Sequence, residues 1–159
     1  MSAIQIMQQR RSSPKLTTPA PNTEQLKVIL ESALCAPDHG RLKPWKFLVI
    51  EGEARDKLGE LYLAAALAET RDLPDLSAER QTRIKNMPLR APLIIVAAVQ
   101  AVEGHKVPVL EQMIATGAAV QNMLLAAEEL GFGAMWRTGE MAYKSQVKTG
   151  LGLNSNDEI

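Results

Sequence analysis

The stretch EQMIATGAAVQNMLLAAEEL, residues 111–130, decides how this chain is built. Met113, Ile114, Ala118, Val120, Met123, Leu124, Ala127 and Leu130 fall on almost every side of a helix and leave almost no polar face above Glu128 and Glu129. A helix that is apolar nearly all round must be buried on more than one side. In a chain of 159 residues, such a helix either runs through the centre of the domain or is covered by a second copy of the chain. A homodimer is the favoured expectation.

Downstream of this helix, Gly131 stands where a C′ glycine ends a helix in the left-handed conformation. The residues from Gly131 to Trp136 predict a strand, Arg137-Thr138-Gly139 a turn, and 142–150 a last helix. Asp157-Glu158-Ile159 reads as the entrance to a further strand, so a C-terminal strand and tail are expected to be missing. Upstream, LIIVAAV at 93–99 is a continuous β-branched run that predicts a strand covered on both faces. WKFLVIE at 45–51 predicts a second strand, opened by an aromatic and turned by Gly52.

The remaining helices are read from periodicity and caps. Asn22 with Gln25 forms a capping-box signal, and Leu26, Ile29, Leu30, Ala33 and Leu34 repeat at helical spacing as far as Cys35. Ile4 and Met7 share one face of a short helix at 3–9, followed by a loop carrying Pro14, Pro19 and Pro21. Leu58, Leu61, Tyr62 and Ala65 mark an amphipathic helix at 53–69, and a polar stretch with Pro74 leads to a short helix at 77–86. Residues 71–86 read as peripheral and mobile, a candidate lid. With no repeat and no Gly/Ser linker, the chain 1–159 reads as one domain.

Composition narrows the function classes. Eighteen basic and eighteen acidic side chains cancel, which argues against nucleic acid or an anionic membrane as the main partner, since both call for a net basic face. Any anion site is local. The single cysteine excludes an internal disulfide or a cysteine zinc cluster and fits a reducing compartment. Neither a signal-peptide core nor a bilayer-spanning run is present, and the expectation is a soluble, cytoplasmic protein.

Arg10-Arg11-Ser12 is the leading candidate binding motif. Two planar, permanently charged guanidiniums and a hydroxyl match the oxygens of a phosphate; a solvated helix end, whose carbonyls favour cations, is the plainer alternative. His39 lies in a loop between two predicted core elements, where a binding and a structural histidine are equally open. Cys35 ends an apolar helix and reads as a small hydrophobe. Trp136, Arg137 and Thr138 follow a predicted strand and supply either a core cap with a surface pair or a ring wall with an anion donor. No glycine-rich phosphate loop, His-Glu metal pair or nucleophile elbow occurs, so no side chain is assigned a catalytic role.

In this order the motifs resemble the nitroreductase family of flavin enzymes, in particular its short single-domain NAD(P)H nitroreductase branch. The resemblance is carried by Arg10-Arg11-Ser12 after a short helix, by Ala36-Pro37 through Pro44-Trp45 leading into a strand, by the long apolar helix, and by Gly131-Phe132-Gly133 to Trp136. It implies an α+β fold, an antiparallel sheet flanked by helices, in a homodimer with FMN at the subunit interface. Arg10, Arg11 and Ser12 would hold the phosphate and ribityl chain, Cys35 and His39 would reach the flavin from the partner, and Trp136, Arg137 and Thr138 would complete the site. A backbone donor to flavin N5 is expected near Thr138 and Gly139.

The implied chemistry is a ping-pong cycle in which the cofactor takes hydride from NAD(P)H and passes electrons to a nitroaromatic, quinone or similar small acceptor. Two departures from the family pattern stand out: Asp38, Arg41 and Lys43 replace its Ser, Asn and Gln, and Pro14 stands where a basic residue is common, leaving Lys15 to bring charge near the flavin. Two other readings stay open, a superfamily member with different flavin chemistry and a non-catalytic flavin-binding or flavin-handling module.

Overall fold

The computed structural model describes residues 2–69 and 76–159. Helices α1 (Ala3–Gln9) and α2 (Thr23–Ala33) precede strand β1 (Trp45–Glu51); α3 (Ala54–Glu69) and α4 (Ala78–Lys85) separate it from strand β2 (Leu93–Val99); α5 (Val109–Glu129) and α6 (Ser145–Gly150) follow. Short 3-10 turns lie at His39–Arg41, Met87–Arg90 and Glu140–Tyr143. The result is a mixed fold of helices around an antiparallel pair, as the resemblance implied.

Local chemistry accounts for the helix ends. Asn22 Oδ1 accepts from the Gln25 N–H at 2.9 Å while Gln25 Oε1 accepts from the Asn22 N–H at 3.0 Å, the reciprocal capping box. At the far end of α5, Gly131 adopts φ +83°. Its N–H donates to the Glu128 carbonyl and the Phe132 N–H to that of Ala127. This is a Schellman closure that only a residue at ease in the left-handed region makes cheaply.

The antiparallel register, Trp45 opposite Val99 through Glu51 opposite Leu93, sorts side chains onto two faces with the period of two expected of a strand. Trp45, Phe47 and Ile95 meet α2 and α5, where Ile29, Ala33, Ala119, Met123 and Ala127 are buried. Leu48, Ile50, Ile94 and Val96 meet α3 and its neighbours through Leu58, Leu61 and Leu151. No residue of β2 is exposed, so the expected double cover is present. A third cluster joins Ala65 and Ala66 of α3 to Leu76, Ile84, Met141 and Val147.

Three expectations change. The predicted strand at Gly131 to Trp136 is a single parallel bridge between Ser12 and Ala134, because the chain meets the irregular segment after α1 rather than a strand. The helix at 111–130 begins two residues earlier, at Val109, with Pro108 at the cap. Of the candidate lid, 71–75 lie outside the described residues, whereas Leu76 and Ile84 are buried in the third cluster. A Cβ on Gly59 would run into the Lys85 carbonyl, so α4 sits close upon α3.

The last residues close the sheet on its other side. Val99 and Glu158 exchange backbone hydrogen bonds of 2.6 and 3.1 Å, an isolated antiparallel bridge. Asp157 Oδ2 accepts from the Asn154 N–H at 2.9 Å and from Gln100 Nε2 at 3.0 Å. Burial pushes this carboxyl up, but the Asn154 and Gln100 hydrogen bonds and the charge of Lys46 outweigh it and hold the group below the ordinary carboxylate value. A depressed folded value adds stability above the unfolded carboxylate range, which is lost as pH falls through the folded value. Asp157→Ala is expected to cost about 1–3 kcal/mol near neutrality. Urea midpoints should show that deficit shrinking as pH falls from 4 to 2 (about the range where carboxylates protonate); a constant deficit would assign Asp157 a purely steric role.

Candidate functional site

The Arg10-Arg11-Ser12 segment leaves α1 and passes directly beside the segment that follows α5. Ser12 bridges Ala134, and the Ser13 N–H donates to the Ala134 carbonyl at 3.0 Å. The approach is close enough that a Cβ on Gly133 would stand 3.0 Å from Ser13 Oγ and 3.3 Å from Leu16. A larger residue there would press Ser13 and Leu16 aside by a few tenths of an ångström. Three residues on, Trp136 lays its ring edge against α5 at Gly117, where a Cβ would meet the ring at 3.4 Å. Two motifs far apart in the chain therefore form one corner.

The arginines of this corner differ. Arg11 Nη1 donates to the carbonyls of Gln8 at 2.7 Å and Arg10 at 3.0 Å, satisfying acceptors at the end of α1, which is the helix-end role that the sequence left open. Its Nε and Nη2 remain as donors. The Arg10 and Arg137 guanidiniums have no carboxylate partner among the described residues. Ser12, Trp136, Arg137 and Thr138 are exposed and Arg10 is half-buried. Two unpaired guanidiniums, one partly free guanidinium and a hydroxyl form a donor set without competing acids, which fits a phosphate monoester.

The second predicted group sits on another side of α5. His39 Nδ1 lies 2.6 Å from Glu111 Oε2, and the pair borders a shallow pocket of about 250 Å³ lined also by Pro37, Asp38, Ile114, Ala115 and Ala118. The loop is held in an unusual shape. Gly40, Arg41 and Lys43 have φ of +78°, +54° and +48°, a region that L side chains seldom enter and that costs each of the latter two about 1 kcal/mol or more. Asp38 Oδ2 offsets part of this by accepting from the Lys43 N–H at 2.6 Å.

Cys35, beyond the last turn of α2, is exposed, with Sγ 3.7 Å from the Glu31 carbonyl. The buried small hydrophobe read from the sequence is thus corrected: α2 ends at Ala33, and the chain has left the helical face that is turned to the core.

Two participants escaped the sequence reading. Glu111 stands there only as the first residue of the predicted helix, because its partner is 72 residues away. Gln112 is 1% exposed and ties down the loop before α5: its Oε1 accepts from the Val102 N–H at 2.8 Å, and its Nε2 donates to the Val102 and Val107 carbonyls, both at 3.1 Å. The sequence carries no signal for it, since Gln112 follows Glu111 at the polar start of the helix.

The chain is similar to known proteins over its whole length. The model of the Nitroreductase family matches residues 7–159. The chain is 39% identical over its whole length to 84% of the Escherichia coli protein named "Putative NAD(P)H nitroreductase YdjA". Among solved structures, the nitroreductase-like family protein from Bacillus cereus superposes with a TM-score of 0.86 at 29% identity, covering 100% of this chain and 81% of that one. A Desulfovibrio desulfuricans protein described as a "putative nitroreductase in complex with fmn" superposes with a TM-score of 0.68 at 30% identity, covering 96% of this chain and 77% of that one. No helix among the described residues is long and apolar enough to cross a membrane.

Proposed function

The chain belongs to the nitroreductase family, and on that premise we propose that it is an FMN-dependent NAD(P)H oxidoreductase of small nitroaromatic, quinone or similar acceptors, acting as a cytoplasmic homodimer. The observation that carries the reading is the corner where the segment after Arg10 and Arg11 meets Ala134 through Ser12 and Ser13, just ahead of Trp136, Arg137 and Thr138 in the chain. Arg10 and the remaining donors of Arg11 bind the phosphate, Ser12 adds a hydroxyl donor, and Trp136 forms a wall backed by Gly117. Arg137 and Thr138 stand at the rim, and Lys15 brings a further positive charge to the same loop. Cys35 and His39 serve the site of the opposite subunit.

FMN, when bound, would supply the two-electron redox chemistry between NAD(P)H and the acceptor. The protein's part is placement and electrostatics. Fixed cations near the cofactor favour an anionic form over a neutral one, and the absence of a nucleophile or paired catalytic acids in the motifs agrees with a reaction that asks for neither.

The homodimer rests on exposed apolar surface. Leu110 and Ile114 are 66% and 62% exposed on successive turns of α5, with Met113 beside them, and Ile4 and Met7 of α1 are 67% and 59% exposed. A stripe at i, i+3, i+4 turned to water is characteristic of an interface. It is the side of α5 that its all-round apolar sequence leaves unsatisfied.

The test is spectroscopic. Purified protein mixed with FMN is expected to retain flavin through gel filtration, and anaerobic titration with NADPH or NADH should bleach the visible flavin band, which a nitroaromatic restores. Protein that retains no flavin would overturn the reading; retained flavin that neither nucleotide reduces would leave a binding module in its place.

A further inference from the structure

His39 and Glu111 form a defined acid-imidazole pair on the wall of the pocket beside α5, and the hydrogen bond between them determines which ring nitrogen faces a ligand. A carboxylate only accepts. At 2.6 Å, the proton of the shared bond therefore sits on Nδ1, and the neutral ring keeps its lone pair at Nε2. The other histidine has the opposite arrangement. His105 Nδ1 accepts from the Val107 N–H at 3.1 Å, so His105 carries its proton on Nε2. The two histidines of the chain are opposite tautomers.

The backbone around His39 is held independently. Asp38 ties the turn at Lys43, and a Cβ on Gly40 would meet Val107 Cγ2 at 3.2 Å. The carbonyl of Val107 is in turn bonded by the buried Gln112. Loop position thus comes from Gln112 and Asp38, and ring orientation is left to Glu111, one residue before Gln112 on α5. Both partners remain accessible, with side chains 64% and 46% exposed, so a ligand in the pocket can reach the ring.

We propose that Glu111 is a positioning residue: it holds His39 as the Nδ1–H tautomer and thereby presents Nε2 as a hydrogen-bond acceptor to a hydroxyl or imide N–H of the ligand bound in this pocket. The assignment rests on the reading of the site as a flavin site, since such donors occur on the polyol chain and the imide edge of a flavin. It adds a residue to that site and a polarity to His39.

Long-range nitrogen–proton correlation spectra of histidine-labelled apoprotein read both tautomers directly, without flavin. His39 is expected as Nδ1–H and His105 as Nε2–H. Glu111→Ala should move His39 toward Nε2–H and leave His105 unchanged, whereas Glu111→Gln, whose amide oxygen still accepts, should restore the native tautomer. FMN affinity should fall about tenfold in Glu111→Ala, the size of one lost hydrogen bond, and recover in Glu111→Gln. The His39→Ala, Glu111→Ala double variant should bind no worse than His39→Ala alone, the non-additivity of residues acting through one another. A wild-type His39 that is Nε2–H or doubly protonated at neutral pH, a tautomer unmoved by Glu111→Ala, or additive losses would overturn the assignment. Absence of flavin binding by the wild-type protein would overturn the flavin-site reading and the ligand half of this assignment, while the tautomers would still decide whether Glu111 orients His39.

Discussion

Replacing Arg10 and Arg11 together by alanine is expected to weaken FMN binding by about 100-fold or more, because a hydrogen bond to a charged group contributes about 1.5–3 kcal/mol and two are removed. The two positions should contribute unequally. Arg10 has no carboxylate partner among the described residues and gives its whole fork to the anion. Arg11 spends Nη1 on the carbonyls of Gln8 and Arg10. Arg10→Ala should therefore account for the larger part of the loss, and Arg11→Ala should also fray the short helix α1. Titration of apoprotein with FMN, followed by flavin fluorescence, measures both, and thermal melts separate fraying from anion loss. An FMN dissociation constant unchanged in Arg10→Ala would remove the phosphate role from this corner.

The exposed stripe on α5 yields an effect of similar size. Leu110→Lys combined with Ile114→Lys places two ammonium groups where a partner subunit would bury them. Each buried, unpaired charge costs several kcal/mol, so the dimer dissociation constant should rise by about 1,000-fold or more. In the monomer both positions face water, and exposed substitutions of this kind stay within about 0.5 kcal/mol, so the fold should persist. Sedimentation equilibrium should report a monomer with native circular dichroism and, on the proposed assignment of Cys35 and His39 to the opposite subunit's site, one that no longer retains FMN. A wild-type protein that sediments as a monomer, or a double variant that stays dimeric, would count against the interface.

The two predictions bear on different kinds of information in the chain. The corner around Arg10 was legible in part: the triplet and the Gly131 to Trp136 run both stood out in the sequence, and their meeting through Ser12, Ser13 and Ala134 is a tertiary event. The strand expected at Gly131 to Trp136 failed for the same reason, since a strand exists only with a partner to pair with, and the chain offers this one a single bridge. Cys35 read as buried because it continued an apolar pattern past the point where α2 stops.

What the sequence determined by itself is whatever short-range chemistry controls. The capping box at Asn22 and Gln25, the Schellman closure at Gly131, the strands at 45–51 and 93–99 and the heavy burial demand of α5 all arise between residues a few positions apart, where periodicity of 3.6 or 2 is visible on the page. Only the tertiary structure decided the roles of polar side chains whose partners are remote. It engaged Arg11 with its own helix, buried Gln112 as a clamp on the loop before α5, and set Glu111 against His39 across 72 residues. A single polar group has no period, and its role follows from the one partner that folding brings within hydrogen-bond reach.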